Sequence, residues 1–203
     1  MPTSRIESFS DNVFAFSVTL LVLAIQVPAV QGDNIGAALS AGLAAMAPKF
    51  LVYVFSFFLV CLWWMAHHHL FHIIKRSDRG LVWLNSLFLL WMTFLPFPTA
   101  LMGSYPHERI AVIFYGIVSM LASISFCLMR YYAFYVAKLI DDTLDPKLLR
   151  AAMVRSFINP VIHIVAIALA LVDTRITVGM YVLLMGLFFI PSRLEQADTK
   201  AVN

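Results

Sequence analysis

Long apolar runs constrain this chain more than any other feature of its sequence. Six such runs alternate with short polar segments, and a helix needs about 20 mostly apolar residues to cross a bilayer. Hydrophobic residues make up 62% of the chain and charged residues 12%, whereas soluble domains hold about 45–50% and about 25%. This composition excludes a soluble globular protein, a disordered chain and a nucleic-acid binder, and it indicates an integral membrane protein.

The apolar runs predict one all-α membrane domain over residues 1–203, with six transmembrane helices. The predicted spans are residues 9–28, 50–74, 81–102, 110–136, 154–172 and 178–190. Pro96 and Pro98 lie near the end of the third span. Since proline removes a backbone donor and its ring clashes with the preceding turn, we expect the third helix to break or kink there.

Two further sequence signals predict where helices begin. Asn34 or Asp33 is expected to cap a short interfacial helix over residues 35–47. Asp145-Pro146 is expected to open a helix in the loop before the fifth span.

The distribution of Lys and Arg predicts the orientation in the membrane. With the N-terminus inside, eleven of the 14 fall on inner segments: Arg5, Lys75, Arg76, Arg79, Arg130, Lys138, Lys147, Arg150, Arg155, Arg193 and Lys200. The other three, Lys49, Arg109 and Arg175, fall outside. Because cytoplasmic loops carry the excess of positive charge, both termini are predicted to be cytoplasmic. An even number of spans requires the same arrangement.

The first helix carries the most informative pattern. At about 100° per residue, one stripe collects residues Arg5, Phe9, Asn12, Phe16, Leu20, Leu23 and Val27, with Thr19 at its edge. Ser10 and Asp11 lie away from that stripe. Spacing alone allows the stripe to be ordinary helix packing. It also allows Ser10 and Asp11 to tie this helix to a neighbour by hydrogen bonds, as polar groups in membranes often do.

A histidine cluster, His67-His68-His69 with His72, ends the second span. His68 and His72 are four residues apart and could share a face for a metal ion. No Cys, Asp or Glu lies within the cluster to complete such a site. Interfacial histidines below an aromatic belt, or a hydrogen-bond partner for Ser10 or Asp11, are the alternatives. We therefore expect no metal, no cofactor and no enzymatic activity.

Three segments together resemble a known family. They are Arg5-x-x-x-Phe9-Ser10-Asp11 in the first helix, Trp64-x-x-His67-His68 in the second, and Leu84-Asn85 with Pro96-Phe97-Pro98 in the third. This pattern is similar to that of the transmembrane protein 175 family, the lysosomal and endosomal potassium channels of animals and their bacterial homologues. The resemblance covers the first half of the chain well, and the second half mainly by hydropathy and span number.

The resemblance implies a potassium-preferring cation channel in the bacterial inner membrane. Like bacterial members, a single six-helix unit would assemble as a homotetramer whose first helices line the pore. The implied constriction consists of Phe16, Leu20 and Leu23, flanked by the polar residues Asn12 and Thr19. The implied structural motif network contains Arg5, Phe9, Ser10, Asp11, Trp64, His67 and His68. K+ is the expected permeant ion, and Na+ and H+ are further candidates.

One residue departs from the family pattern, because Phe16 stands where isoleucine or leucine is usual. Four phenyl rings would narrow the pore, or their faces could meet a cation. Three rival interpretations stay open at this point. They are a proton-permeable channel of the same fold that uses His67, His68 and Asp11 as a relay, a six-helix secondary transporter, and a membrane metalloenzyme built on the histidines.

Overall fold

The computed structural model describes residues 2–29, 31, 34–141 and 144–188, with side chains described as far as residue 181. The described elements in chain order are α1 (Thr3–Leu23), α2 (Ile35–Ala45), α3 (Ala47–Ile73), α4 (Arg79–Phe94), α5 (Pro96–Ser104), α6 (Arg109–Tyr131), a π-helical turn (Tyr132–Val136), α7 (Pro146–Ala170) and α8 (Thr174–Phe188). The predicted all-α class is confirmed.

Five of these segments are long and apolar enough to cross a membrane, and the chain is an integral membrane protein. They are Thr3–Leu23, Ala47–Ile73, Arg79–Ser104, Arg109–Val136 and Pro146–Ala170. The predicted sixth span begins inside α8, which is 15 residues long as described, and its last two residues lie outside the described part of the chain.

Helix boundaries differ from the predicted spans most clearly at α1 and α7. Helix α1 begins at Thr3 rather than near residue 9. Helix α1 ends at Leu23, where Ala24 closes the last turn, although the first span was expected to run to residue 28. A proline disfavours helical geometry in the residue before it, so the chain leaves the helix before Pro28. Helix α7 begins at Pro146, as Asp145-Pro146 predicts, and Asp145 caps it by accepting a 2.8 Å hydrogen bond from the Lys147 N–H. The helix is continuous with the fifth span, which was expected to begin near residue 154.

The prolines act as the sequence predicts. Helix α4 ends at Phe94, α5 begins at Pro96, and the turn between them lies at Leu95.

Pro160 sits inside α7 and supplies no N–H to the Ser156 carbonyl one turn earlier. The thiol of Cys127 on α6 donates to that carbonyl at 3.0 Å. A side chain of a neighbouring helix therefore satisfies the backbone group that the proline leaves free.

Helix α6 is the centre of the bundle. In its most apolar stretch 61% of residues are buried, against 28% to 33% in the other four long segments. It packs against α7, α4 and α5, while α1 packs against α3 and α4 on the other side of the bundle. The Tyr115 hydroxyl of α6 lies 3.1 Å from the Ser56 hydroxyl of α3 inside the core. Helix α1 is thus held on one side by α3 and α4, with further contacts to α5, and has few neighbours on the other.

The α3–α4 connection is fastened to the end of α6. The Tyr132 hydroxyl donates to the Asp78 carboxylate at 2.6 Å, and the same carboxylate caps α4 through the Leu81 N–H at 2.8 Å. Burial opposes the charged form, but these hydrogen bonds outweigh it and hold the pKa of Asp78 below its ordinary value. Lys75 N donates to the Leu139 carbonyl at 2.8 Å, so the segment after α6 pairs with the end of α3.

Gly80 makes the approach of Tyr132 possible, and its substitution tests this junction. A Cβ atom at residue 80 would overlap the Tyr132 hydroxyl, whereas a Cβ at Gly179 meets nothing within 4 Å. We expect Gly80→Ala to cost about 1–3 kcal/mol, the usual cost of overpacking, and to lower the melting temperature in detergent. Gly179→Ala is the matched control and should leave the melting temperature unchanged or raise it slightly. Equal melting temperatures for the two variants would contradict the tight junction.

Candidate functional site

Helix α1 has one buried face and one exposed face. Ile6, Ser10, Phe14, Ser17 and Leu21 are buried against α3 and α4. The opposite face contains the stripe found in the sequence, with Phe16 68% exposed, Leu20 42% and Leu23 71%. Arg5, Phe9, Asn12 and Thr19 are also exposed. All these residues are free of contacts that would bury them within one chain, so this face is available to water or to another copy.

Three polar side chains anchor the buried face. Ser10 on α1 is 0% exposed and receives a 3.0 Å hydrogen bond from the Asn85 amide of α4. The Asn85 amide oxygen accepts from His67 Nε2 of α3 at 2.8 Å. The Ser10 hydroxyl in turn donates to the Ile6 carbonyl at 2.8 Å. These bonds form a continuous hydrogen-bonded chain, His67–Asn85–Ser10, that links three helices.

Aromatic rings surround the His67 end of this chain. The imidazole stacks on Phe71 at a centroid distance of 4.4 Å and on Phe88 at 6.1 Å, and Phe14 meets its edge at 5.5 Å. The residue is 1% exposed. An unpaired polar group in an apolar site is costly. Because the Asn85 amide oxygen can only accept, we assign the proton of this hydrogen bond to Nε2 of His67.

A second contact joins α1 to α3 nearer the surface. The Trp64 indole N–H donates to the Asp11 carboxylate at 2.8 Å, and the Trp64 ring stacks on His68 at 5.9 Å. Of the predicted motif network, the structure brings together Ser10, Asp11, Trp64, His67 and His68 on the α1–α3 side. It leaves Arg5 and Phe9 on the exposed face of α1.

Two polar residues of the exposed face bond to the backbone of their own helix. The Asn12 amide donates one N–H to the Ser8 carbonyl at 2.8 Å, and the Thr19 hydroxyl donates to the Phe16 carbonyl at 2.9 Å. Thr19 can still offer its oxygen as an acceptor, and Asn12 retains its oxygen and its second N–H. Acceptor oxygens are the groups that coordinate hard cations, so both side chains can meet a cation.

Asn85 belongs to the third-helix motif, but the sequence interpretation gave it no role in the site. It lies beside Ser86 among the apolar residues of α4, and an amide side chain inside a membrane helix is expensive unless it is paired. That signal could have identified it. Within the described residues, no three His, Cys, Asp or Glu side chains come together as a metal site.

Fold and site together define an all-helical integral membrane protein with an exposed, partly polar first helix. A profile of the family described as "Endosomal/lysosomal potassium channel TMEM175" matches residues 5–96. A potassium channel of Chamaesiphon minutus is 33% identical over 182 residues, which are 88% of this chain and 89% of that protein. A potassium channel of Streptomyces collinus is 31% identical over 186 residues, with 90% and 89% covered.

A solved structure agrees with these sequence matches. The crystal structure of a lysosomal potassium-selective channel TMEM175 homologue from Chamaesiphon minutus has a TM-score of 0.82 and 32% identity to this chain, and it covers 94% of this chain and 98% of its own. The chain therefore belongs to the TMEM175 family.

The His67–Asn85–Ser10 chain can be tested by substitution. Asn85→Leu leaves the buried His67 N–H without its acceptor, so we expect a loss of about 1–3 kcal/mol and a lower melting temperature in detergent. The neighbouring Ser86→Ala is the control, since the Ser86 hydroxyl bonds to the Val82 carbonyl of its own helix. It should change the melting temperature little. Adding His67→Phe to Asn85→Leu removes both partners and should recover part of the loss. Additive losses would show that the two residues do not act together.

Proposed function

We propose that this chain is the subunit of a homotetrameric, potassium-preferring cation channel whose pore is lined by the exposed face of α1. The names of its relatives support potassium as the permeant ion. The proposal includes a sixth span in the α8 region, cytoplasmic termini and residence in the bacterial inner membrane. Passive conduction is the proposed activity.

One observation carries the proposal. The exposed face of α1 mixes apolar residues with Asn12 and Thr19, whereas the exposed face of α7 is apolar at Val154, Phe157, Val161 and Ile164. Lipid chains suit the α7 face, but polar groups in a membrane helix usually face a water-filled cavity or another helix. A symmetric assembly of copies around α1 would place this face against a water-filled pore and against the α1 helices of the other copies.

Phe16, Leu20 and Leu23 would form the constriction in such an assembly. An apolar ring conducts only where it is wide enough to stay wet, and a narrower ring closes by dewetting. Selectivity between ions would then depend on the free energy needed to remove water from each ion at the ring. K+ is more weakly hydrated than Na+, so this cost favours K+. The Thr19 and Asn12 oxygens, beside this ring and nearer the N-terminus of α1, would compensate an ion for part of that loss.

A proton relay through His67 has weaker structural support. The His67–Asn85–Ser10 chain terminates on the Ile6 carbonyl, and its members lie on the buried side of α1. It therefore does not extend to the proposed pore-lining face. The second candidate function, proton conduction, would need water or Asp11 instead.

Ion flux in liposomes tests the proposal. Phe16→Ala and Leu23→Ala widen the proposed ring, so each should raise K+ flux severalfold or reduce the preference for K+ over Na+. Phe157→Ala on α7 is the matched control, because Phe157 is 53% exposed but lies on a face assigned to lipid. It should leave flux unchanged. Parallel proton-gradient measurements separate potassium from proton conduction.

The outcomes of this experiment are distinct. Unchanged flux in both α1 variants would remove α1 from the pore. If the native protein passes no ion, then flux in Phe16→Ala would indicate a pore closed by the phenyl ring, and its absence would contradict the channel.

The oligomeric state can be measured separately. We expect native mass spectrometry of the detergent-purified protein to give a particle of four copies. A monomer or dimer under conditions in which K+ flux is retained would refute the tetramer without refuting the channel.

A further inference from the structure

The start of α7 carries a surface that the proposed pore does not use. An open recess of about 510 Å³ is lined by Lys147, Arg150, Ala151, Val154, Arg155 and Ile158. The last five lie three, four, seven, eight and eleven residues after Lys147, so all six form one face of the helix. We call this surface the α7 basic face.

The residues of the α7 basic face are ordered along the helix axis. Lys147 and Arg150 lie in the first turns, whereas Val154 and Ile158 lie further along and are 56% and 46% exposed. From Lys147 to Ile158 the face extends about 16 Å at about 1.5 Å per residue. Cationic groups at one end and aliphatic groups at the other match the two ends of a phospholipid.

The length of α7 agrees with this match. The helix has 25 residues, and the hydrocarbon core of a bilayer takes up about 20. Its first turn therefore reaches the headgroup level, where Lys147 and Arg150 would lie. Arg155 lies deeper and is partly buried.

The carboxylate of Asp145, the residue before α7, is engaged by the helix backbone. It accepts a hydrogen bond from the backbone N–H of Lys147 at 2.8 Å as the cap of α7. The residues that line the recess include the exposed Lys147 and Arg150 and no acidic residue. The net charge of the recess is complementary to a phosphate group.

We propose that the α7 basic face binds an anionic glycerophospholipid, with the headgroup phosphate at Lys147 and Arg150 and an acyl chain along Val154 and Ile158. This inference does not depend on ion conduction, because it follows from the spanning helix and its side chains. With the proposed orientation the lipid belongs to the cytoplasmic leaflet, where a cluster of basic residues attracts anionic lipids.

Native mass spectrometry of the full-length protein tests this site. The probes are phosphatidylglycerol and phosphatidylcholine with the same acyl chains. We expect Lys147→Gln/Arg150→Gln to weaken phosphatidylglycerol binding on the order of tenfold, as the loss of two cations near an anionic headgroup implies, and to leave phosphatidylcholine binding unchanged. The matched control is Lys75→Gln/Arg79→Gln, which removes two exposed charges from another predicted inner segment and should retain binding.

Two further variants make the test independent of any one substitution. Lys147→Arg/Arg150→Lys keeps both charges and should keep phosphatidylglycerol binding. Val154→Thr/Ile158→Thr leaves the charges in place and should weaken binding severalfold by reducing the acyl-chain contact.

Several results would overturn the proposal. Equal losses in the Gln pair and in its control would indicate general surface charge, and unchanged binding in both the Gln and the Thr pairs would exclude the face altogether. Release of the lipid by millimolar inorganic phosphate would indicate a site for free anions. A change in the number of copies per particle in the Gln pair would indicate that the face is covered by another subunit.

Discussion

The structure depends on the pairing of polar side chains within the apolar bundle. Hydrocarbon offers no hydrogen-bond partner, so a polar group in a membrane helix must find one in the protein or in water. The bonds that join His67, Asn85 and Ser10 meet that requirement for three helices at once. Since Ser10 belongs to α1, they also fix the rotation of α1 about its axis. Because the face that contains Ser10 must be turned towards Asn85, the face that contains Phe16 is exposed.

The same requirement explains other parts of the bundle. The thiol of Cys127 donates to the Ser156 carbonyl, which Pro160 leaves without a helical partner. The Asp78 carboxylate caps α4 and accepts from Tyr132, which holds a loop against the end of α6. The Cys127 contact joins α6 to α7, and the Tyr132 contact joins the end of α6 to the start of α4. Apolar packing alone would allow neighbouring helices to slide or rotate, and these polar contacts restrict both movements.

The sequence predicts some of this arrangement well and some of it poorly. Long apolar runs predict the helices, because the bilayer sets their length, and the caps at Asn34 and Asp145 follow from local chemistry. The helical period predicts a stripe through Phe16, but period alone could not tell which side of α1 is buried. That depended on Asn85, a residue on a different helix. The end of α1 at Leu23 was misjudged, and the helix expected at Pro146 was not recognised as continuous with the fifth span, because helices need not stop where hydropathy changes.

The polar side chains that stay exposed in the single chain indicate which partners each surface can bind. Asn12 and Thr19 each donate one hydrogen to the backbone of α1, and their oxygen atoms are left for a partner that donates or carries positive charge. Lys147 and Arg150 have the opposite character, since they can only donate, and they lie at the end of a face that becomes aliphatic further along α7. The oxygens of Asn12 and Thr19 suit a cation or its water, whereas the cations of α7 suit an anionic headgroup.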